Sequence, residues 1–247
     1  MLGIVLDILT VLFLLLLLKK CSVKTKLKNA VESIGYVTSA FVSVPLAVFL
    51  GDFCYRNFYR PVVVERIRSL VETTGDIDPS IDPVGRIMNG MPIVVSNGAR
   101  IYHTTSGESL VQLNRLLSGD LTATATTEQI VDILARPVVD GVLRALFFAV
   151  IFAGCCRFFR AFYPTVEAYF YNPDRAAVSP TIGMVLGTGK VLVIFLTLLS
   201  VIALAGPVLP DYYIFRPSSY SHSFLFKLFY EDNIIMLFLG KGLSLYI

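Results

Sequence analysis

The chain has 247 residues, 55% of them hydrophobic and 16% charged, with a formal net charge of +3 and a mean hydropathy of +0.71. Its length would suit one or two aqueous domains, but this composition points to a chain whose solvent is mostly lipid. No basic block is long enough to suggest nucleic-acid binding, so no nucleic-acid partner is expected.

Leu2 to Leu18 is apolar apart from Asp7 and Thr10, and Lys19 and Lys20 follow it. A cleavable signal carries its positive charge before the apolar stretch, so this order predicts a retained transmembrane helix. The basic cluster Lys19, Lys20, Lys24, Lys26 and Lys28 marks a cytoplasmic turn, so the first helix is expected to run from outside to inside. A second apolar run, Ile34 to Leu50, has Gly35, Ser39 and Ser43 at four-residue intervals on one face. Lipid tails are as apolar as leucine, so membrane helices associate through close backbone approach, and such small-residue stripes are read as packing faces. Pro45 is expected to bend this helix.

Asp52 to Arg136 differs in kind, with ten acidic residues, eight arginines and no lysine. It is expected outside the membrane, since a segment this long translocates largely regardless of its arginines. Val62 to Thr73 and Leu110 to Leu117 have helical apolar spacing, Thr127 to Leu134 leads into the next span, and Pro79, Pro83 and Pro92 mark an irregular middle. Val138 to Phe159 is the third predicted span. Asp140 and Arg144 near its entrance form an acid-before-base i,i+4 pair, expected to stay solvated at the outer interface by pairing or snorkelling. A relay through Asp140, with Asp7 at the same level, is the competing reading. Arg157 and Arg160 are expected to end the helix, and with Arg175 they place the following turn inside.

Thr181 to Gly206 would reach about 39 Å, enough for a hydrocarbon core of roughly 30 Å, and carries Lys190 as its single charge. Gly183, Gly187, Lys190, Ile194, Thr197 and Val201 share one narrow stripe, predicted to be a second packing face, with Lys190 within snorkelling reach of the cytoplasmic end. Pro207 and Pro210 end the helix outside. The apolar tail from Phe224 is broken by Lys227, Glu231, Asp232 and Lys241, and is expected to lie at the outer interface or cap the bundle. Ile234 to Ile247 is the alternative, a short fifth span.

These elements predict an all-α membrane protein with four transmembrane helices in two hairpins and a long, partly helical extracytoplasmic loop. The divisions are a first hairpin over 1–51, the loop over 52–137, a second hairpin over 138–206 and the tail over 207–247. Both termini are expected outside. One echo crosses these divisions: Arg60 to Leu70 reads RPVVVERIRSL and Arg136 to Leu146 reads RPVVDGVLRAL, six of eleven positions agreeing at an offset of 76. The repeat is either a reused helix start with Pro in its first turn or a pair of amphipathic helices docked at the same outer rim.

Cys21, Cys54, Cys155 and Cys156 have no CxxC spacing, and His103 and His222 stand far apart, so no metal site, cofactor or disulfide framework is expected. There is no nucleophile elbow, Walker loop or HExxH; GTGK at Gly187 lacks the P-loop frame, and Ser106 and His103 have no third group to orient them. No catalytic residue is expected.

The basic turn after DILTVLFLLLLLKK, the segments YRPVVVERIRSL and RPVVDGVLRALFFAVIFA, the helix SPTIGMVLGTGKVLVIFLTLLS and the tail SFLFKLFYEDN together resemble, in that order, the colicin V production (CvpA) family of bacterial inner-membrane proteins. Gly183, Gly187 and Lys190 resemble the family's glycine-spaced fourth span with its basic residue, whereas Cys21 stands where similar proteins usually have Gly. The resemblance implies a multi-pass inner-membrane protein that supports production or export of a peptide toxin and envelope function, without catalysis. Its expected partners are membrane lipids and either further copies of itself or other envelope proteins. The alternative is a small oligomeric channel or transporter with Lys190, Thr197 and Ser200 around a polar path.

Overall fold

A computed structural model describes residues 2–22, 26–73, 91–93, 95–97, 99, 123–170, 180–205 and 222–244. Among them every regular element is a helix. Helix α1 is Leu2–Ser22; α2, Lys26–Cys54, passes without a break through a π-helical turn, Tyr55–Tyr59, into α3, Arg60–Thr73. Helix α4 is Ala123–Phe170, α5 is Pro180–Ala205, and the tail forms α6, Leu225–Glu231, and α7, Ile234–Ser244. Leu110 to Leu117, Pro79 and Pro83 lie outside the described residues, whereas Pro92 accepts backbone N–H bonds from Val95 and Ser96 and opens a helical turn.

Three stretches, Lys28–Arg66, Val131–Ala168 and Gly187–Leu204, are long and apolar enough to cross a membrane. Helix α1, 21 residues long, carries Asp7, Lys19 and Lys20. The surface is inverted relative to a protein folded in water: Phe41 is 82% exposed, Val185 68% and Phe158 64%, while Glu32, Asp140, Arg144 and Lys190 are buried. In water each such apolar side chain would forgo roughly 1.5–3 kcal/mol of burial, whereas lipid solvates it.

Two helix boundaries differ from the sequence expectation. The second span does not stop at Leu50; helix continues through Pro45, as far as Thr73. Gly35, Ser39, Ser43, Ala47 and Gly51 form an unbroken buried stripe on either side of Pro45, so packing holds the backbone helical past the missing N–H. Pro137 does not open a helix, and Arg157 and Arg160 do not end one, because α4 runs through all three. Val131, Leu134 and Ala135 before Pro137 share a core with Val138 and Val139 after it, and this shared burial outweighs the roughly 3 kcal/mol cost of an interior proline. At Pro61 the chain does yield: in a regular helix the ring would press on the carbonyl four residues back, and the π turn ends two residues before it, with the Arg60 N–H bonded to the Tyr55 carbonyl.

The chain divides into two compact units. The first comprises Met1–Val48, Ala145–Ala203 and Tyr213–Ile247. In it α2 and α4 run antiparallel, Gly35 facing Phe159 and Tyr36 meeting both Phe152 and Arg160. A Cβ at Gly35 would lie 2.9 Å from that of Phe159, so this approach requires glycine. The tail packs on α1 and α5 through Leu6, Phe195, Leu199 and Phe226, with Phe13 and Phe229 against Phe195. The second unit comprises Phe49–Arg144 and Leu204–Tyr212, and its core joins Tyr55, Val63 and Val64 to Val131, Leu134, Ala135, Val138 and Val139, with Met91, Val95 and Ala99 completing it.

Candidate functional site

Helix α2 presents Asn29, Glu32, Tyr36, Ser39 and Ser43 at alternating three- and four-residue spacing, which puts them on one face. In the first unit this face meets α5 at Lys190, only 8% exposed, whose ammonium donates to the Glu32 carboxylate and stands 5.2 Å from the centre of the Tyr36 ring. The Tyr36 hydroxyl accepts from Arg160 of α4 at 3.3 Å. One turn earlier on α2, the Asn29 amide donates to the carbonyl of Cys21 at the end of α1 (2.7 Å). Gly187, three residues before Lys190, lies against that same cysteine: a Cβ there would stand 2.5 Å from the Cys21 Cβ. Four helices therefore converge on one ion pair. Lys190 does not snorkel; it pairs with an anion on a neighbouring helix, and a charge buried this far depends on such a partner.

The predicted packing residues lie where close approach is needed. Gly35, Ser39 and Ser43 are buried, and the two hydroxyls donate back to the Gly35 and Ser39 carbonyls, so neither leaves an unmet polar group. On α5, Gly187, Lys190, Thr197 and Ser200 are buried; the Ser200 hydroxyl donates to the Leu196 carbonyl, and that of Thr197 has no partner among the described residues. The surroundings of Gly183 lie outside the described residues.

Asp7 holds the start of the tail. Its carboxylate caps α6, accepting from the Ser223 hydroxyl (2.5 Å) and from the backbone N–H groups of Phe224, Leu225 and Phe226 at 2.9–3.0 Å. A carboxylate there satisfies the orphan donors of a helix start and opposes its positive end. Asn233 repeats the device: its carbonyl oxygen caps α7 at the Ile235 N–H, and its amide donates to Leu196 of α5. The tail is thereby fastened at both of its helix starts.

In the second unit the two RPVV segments meet. Arg60 donates to Asp132 (3.0 Å) and Glu128 (3.1 Å), and Arg136 donates to Asp52 (2.9 Å) and lies over the Tyr55 ring. Asp52 stands eight residues before Arg60, and Glu128 eight before Arg136, so each echo's arginine takes the acid of the other. Two antiparallel helices with the same charge order can pair in this way, about a local two-fold relation near Arg56 and Asp132. Tyr55 donates to Asp132 at 2.8 Å, close to that centre. Asp140 and Arg144 pair at 2.9 Å as the spacing predicts, but they are not solvated: the side chains are 0% and 1% exposed, and Gly51 lies against Arg144. One Asp140 oxygen has no hydrogen-bond partner among the described residues.

Sequence reasoning missed Glu32, Asn29, Tyr36, Asp52, Arg60, Glu128, Asp132 and Arg136. The heptad-like polar face of α2 and the four-residue charge spacing in both echoes were the available signals. Among the described residues no group of three or more metal-ligating side chains comes together. The chain matches no protein-family model, no curated protein and no solved structure.

Proposed function

We propose that the chain is a four-span bacterial inner-membrane protein of the colicin V production type, supporting toxin production or export and envelope function through contacts rather than catalysis. The observation that carries the membrane part is the inverted surface, charges inside and large apolar side chains outside. The order of the resembling segments carries the rest, and two of them, RPVVVERIRSL and RPVVDGVLRALFFAVIFA, supply the reciprocal ion pairs and much of one core. Helix α1 is the fourth span: its 21 residues reach about 31 Å, with the Asp7 carboxylate hydrogen-bonded by the tail and Lys19 and Lys20 exposed at the cytoplasmic end. α4, at 48 residues, is far longer than the ~20 a span requires, and its surplus is read as part of the extracytoplasmic segment.

The pairing of Lys190 with Glu32 weighs against the channel reading, since a charge engaged within one chain is not available to line a path between copies. Deleting the gene in its host is expected to lower export of peptide toxin and envelope tolerance, both restored by the intact chain. Unchanged export and tolerance would sink the proposal. Ion conductance by the purified protein in liposomes, abolished by Lys190→Met, would favour the channel instead.

A further inference from the structure

Two fastenings of different chemistry hold the tail within the first unit. At α6 the Asp7 carboxylate takes four donors: Oδ1 accepts from the Ser223 hydroxyl and from the N–H groups of Leu225 and Phe226, and Oδ2 from the Phe224 N–H. One turn earlier on α1, a Cβ at Gly3 would stand 2.7 Å from the His222 carbonyl carbon and the Ser223 nitrogen, so α1 and the start of the tail meet backbone to backbone. At α7 the fastening is an amide, Asn233, bonded to the Ile235 N–H and to the Leu196 carbonyl. An ionised carboxylate only accepts, a protonated one carries a donor of its own, and an amide does not titrate. Asp7 is half-buried, within reach of solvent protons.

We infer that α6 is an acid-sensitive latch: protonation of Asp7 sets a donor against the donors it holds and frees α6 from α1, while α7 stays on α5. Asp232 and Asn233, the two residues between the helices, are then the hinge. Docking uses the ionised form, so it is complete at neutral pH and lost as pH falls through the carboxyl range. Release uncovers Leu6, Phe195 and Leu199, which pack with Phe226 in the docked state. The other groups near α6 that could answer acid lie on the tail itself: His222 beside Ser223, the exposed Lys227–Glu231 pair, and Asp232. On α1 no other charge precedes Lys19, and Lys190, the only charge on α5, is engaged by Glu32. Which compartment's acidity reaches Asp7 follows from the proposed topology, whereas the latch holds for either.

Nitroxide pairs at exposed positions of the full chain in detergent, its four cysteines replaced, test it by electron paramagnetic resonance. Leu12→Cys with Leu228→Cys joins α1 to α6, and Leu198→Cys with Leu237→Cys joins α5 to α7. Between about pH 7 and about pH 4, which brackets carboxyl titration, the first pair should lose its dipolar broadening and the second keep it. In Asp7→Asn the first pair should lack that broadening already at neutral pH and show no further response. Ser223→Ala, which removes one donor to the carboxylate, should move the transition to higher pH. Broadening of the first pair unchanged by acid overturns the latch. An acid response that survives in Asp7→Asn overturns it too, and assigns the response to His222, Glu231 or Asp232. Loss in both pairs is general unfolding and also counts against it. Where Asp7→Asn fails to fold, Ser223→Ala decides: a transition moved to higher pH supports Asp7, and an unmoved one excludes it.

Discussion

At the scale of single residues, the chain uses the charges of its apolar helices as fasteners. Lys190 is neutralised by Glu32 and sits over Tyr36, Arg144 is neutralised by Asp140, and Asp7 is spent on the start of α6. A buried pair of this kind contributes little beyond a well-packed apolar substitute, but leaving one partner alone is costly. Lys190→Met is therefore expected to lower stability by about 3–5 kcal/mol, and adding Glu32→Leu to recover most of that loss. Thermal unfolding of the single and double variants in detergent reads the difference. A double variant no more stable than Lys190→Met would mean that Lys190 is held by something other than the Glu32 charge.

At the scale of elements, the governing feature is the reciprocal ladder between α2–α3 and α4. Arg60 and Arg136 open the echoed motifs, each eight residues after an acid, Asp52 and Glu128, and antiparallel packing then crosses the pairs. Each pair is partly exposed, so each contributes about 1 kcal/mol or less, and the ladder sets register more than it sets stability. Arg136→Asp should accordingly loosen the second unit by repulsion from Asp52, and adding Asp52→Arg should restore it. Proteolytic resistance of α4 upstream of Arg136 is the measurement, and an unrescued double variant would refute pairing as the register device. The same packing explains why Pro137 lies inside a helix while Pro61 follows a π turn: helix boundaries here are set by which residues are buried together.

At the scale of the whole molecule, the proposal stands on orientation. Cys21 is buried and so is a poor reporter of the turn it precedes, but Lys20 and Gln129 are exposed. In a chain with its four cysteines replaced, Lys20→Cys is expected to react with an impermeant maleimide only after the membrane is opened, and Gln129→Cys in intact cells. Labelling of both in intact cells would place the first turn outside and reverse the assigned topology.

What the sequence determined by itself was the apolar character of the long helices and the small-residue faces. Apolar length, the lysines after the first apolar run and the four-residue spacing of Gly35, Ser39 and Ser43 are local properties of the sequence. The partners of the charges were decided only in the tertiary structure. Glu32 and Lys190 are 158 residues apart, and Asp52 and Arg136 are 84 apart, so no local period links them. Helix boundaries were likewise hidden, because a proline ends a helix only when the burial it interrupts is weaker than the hydrogen bond it removes.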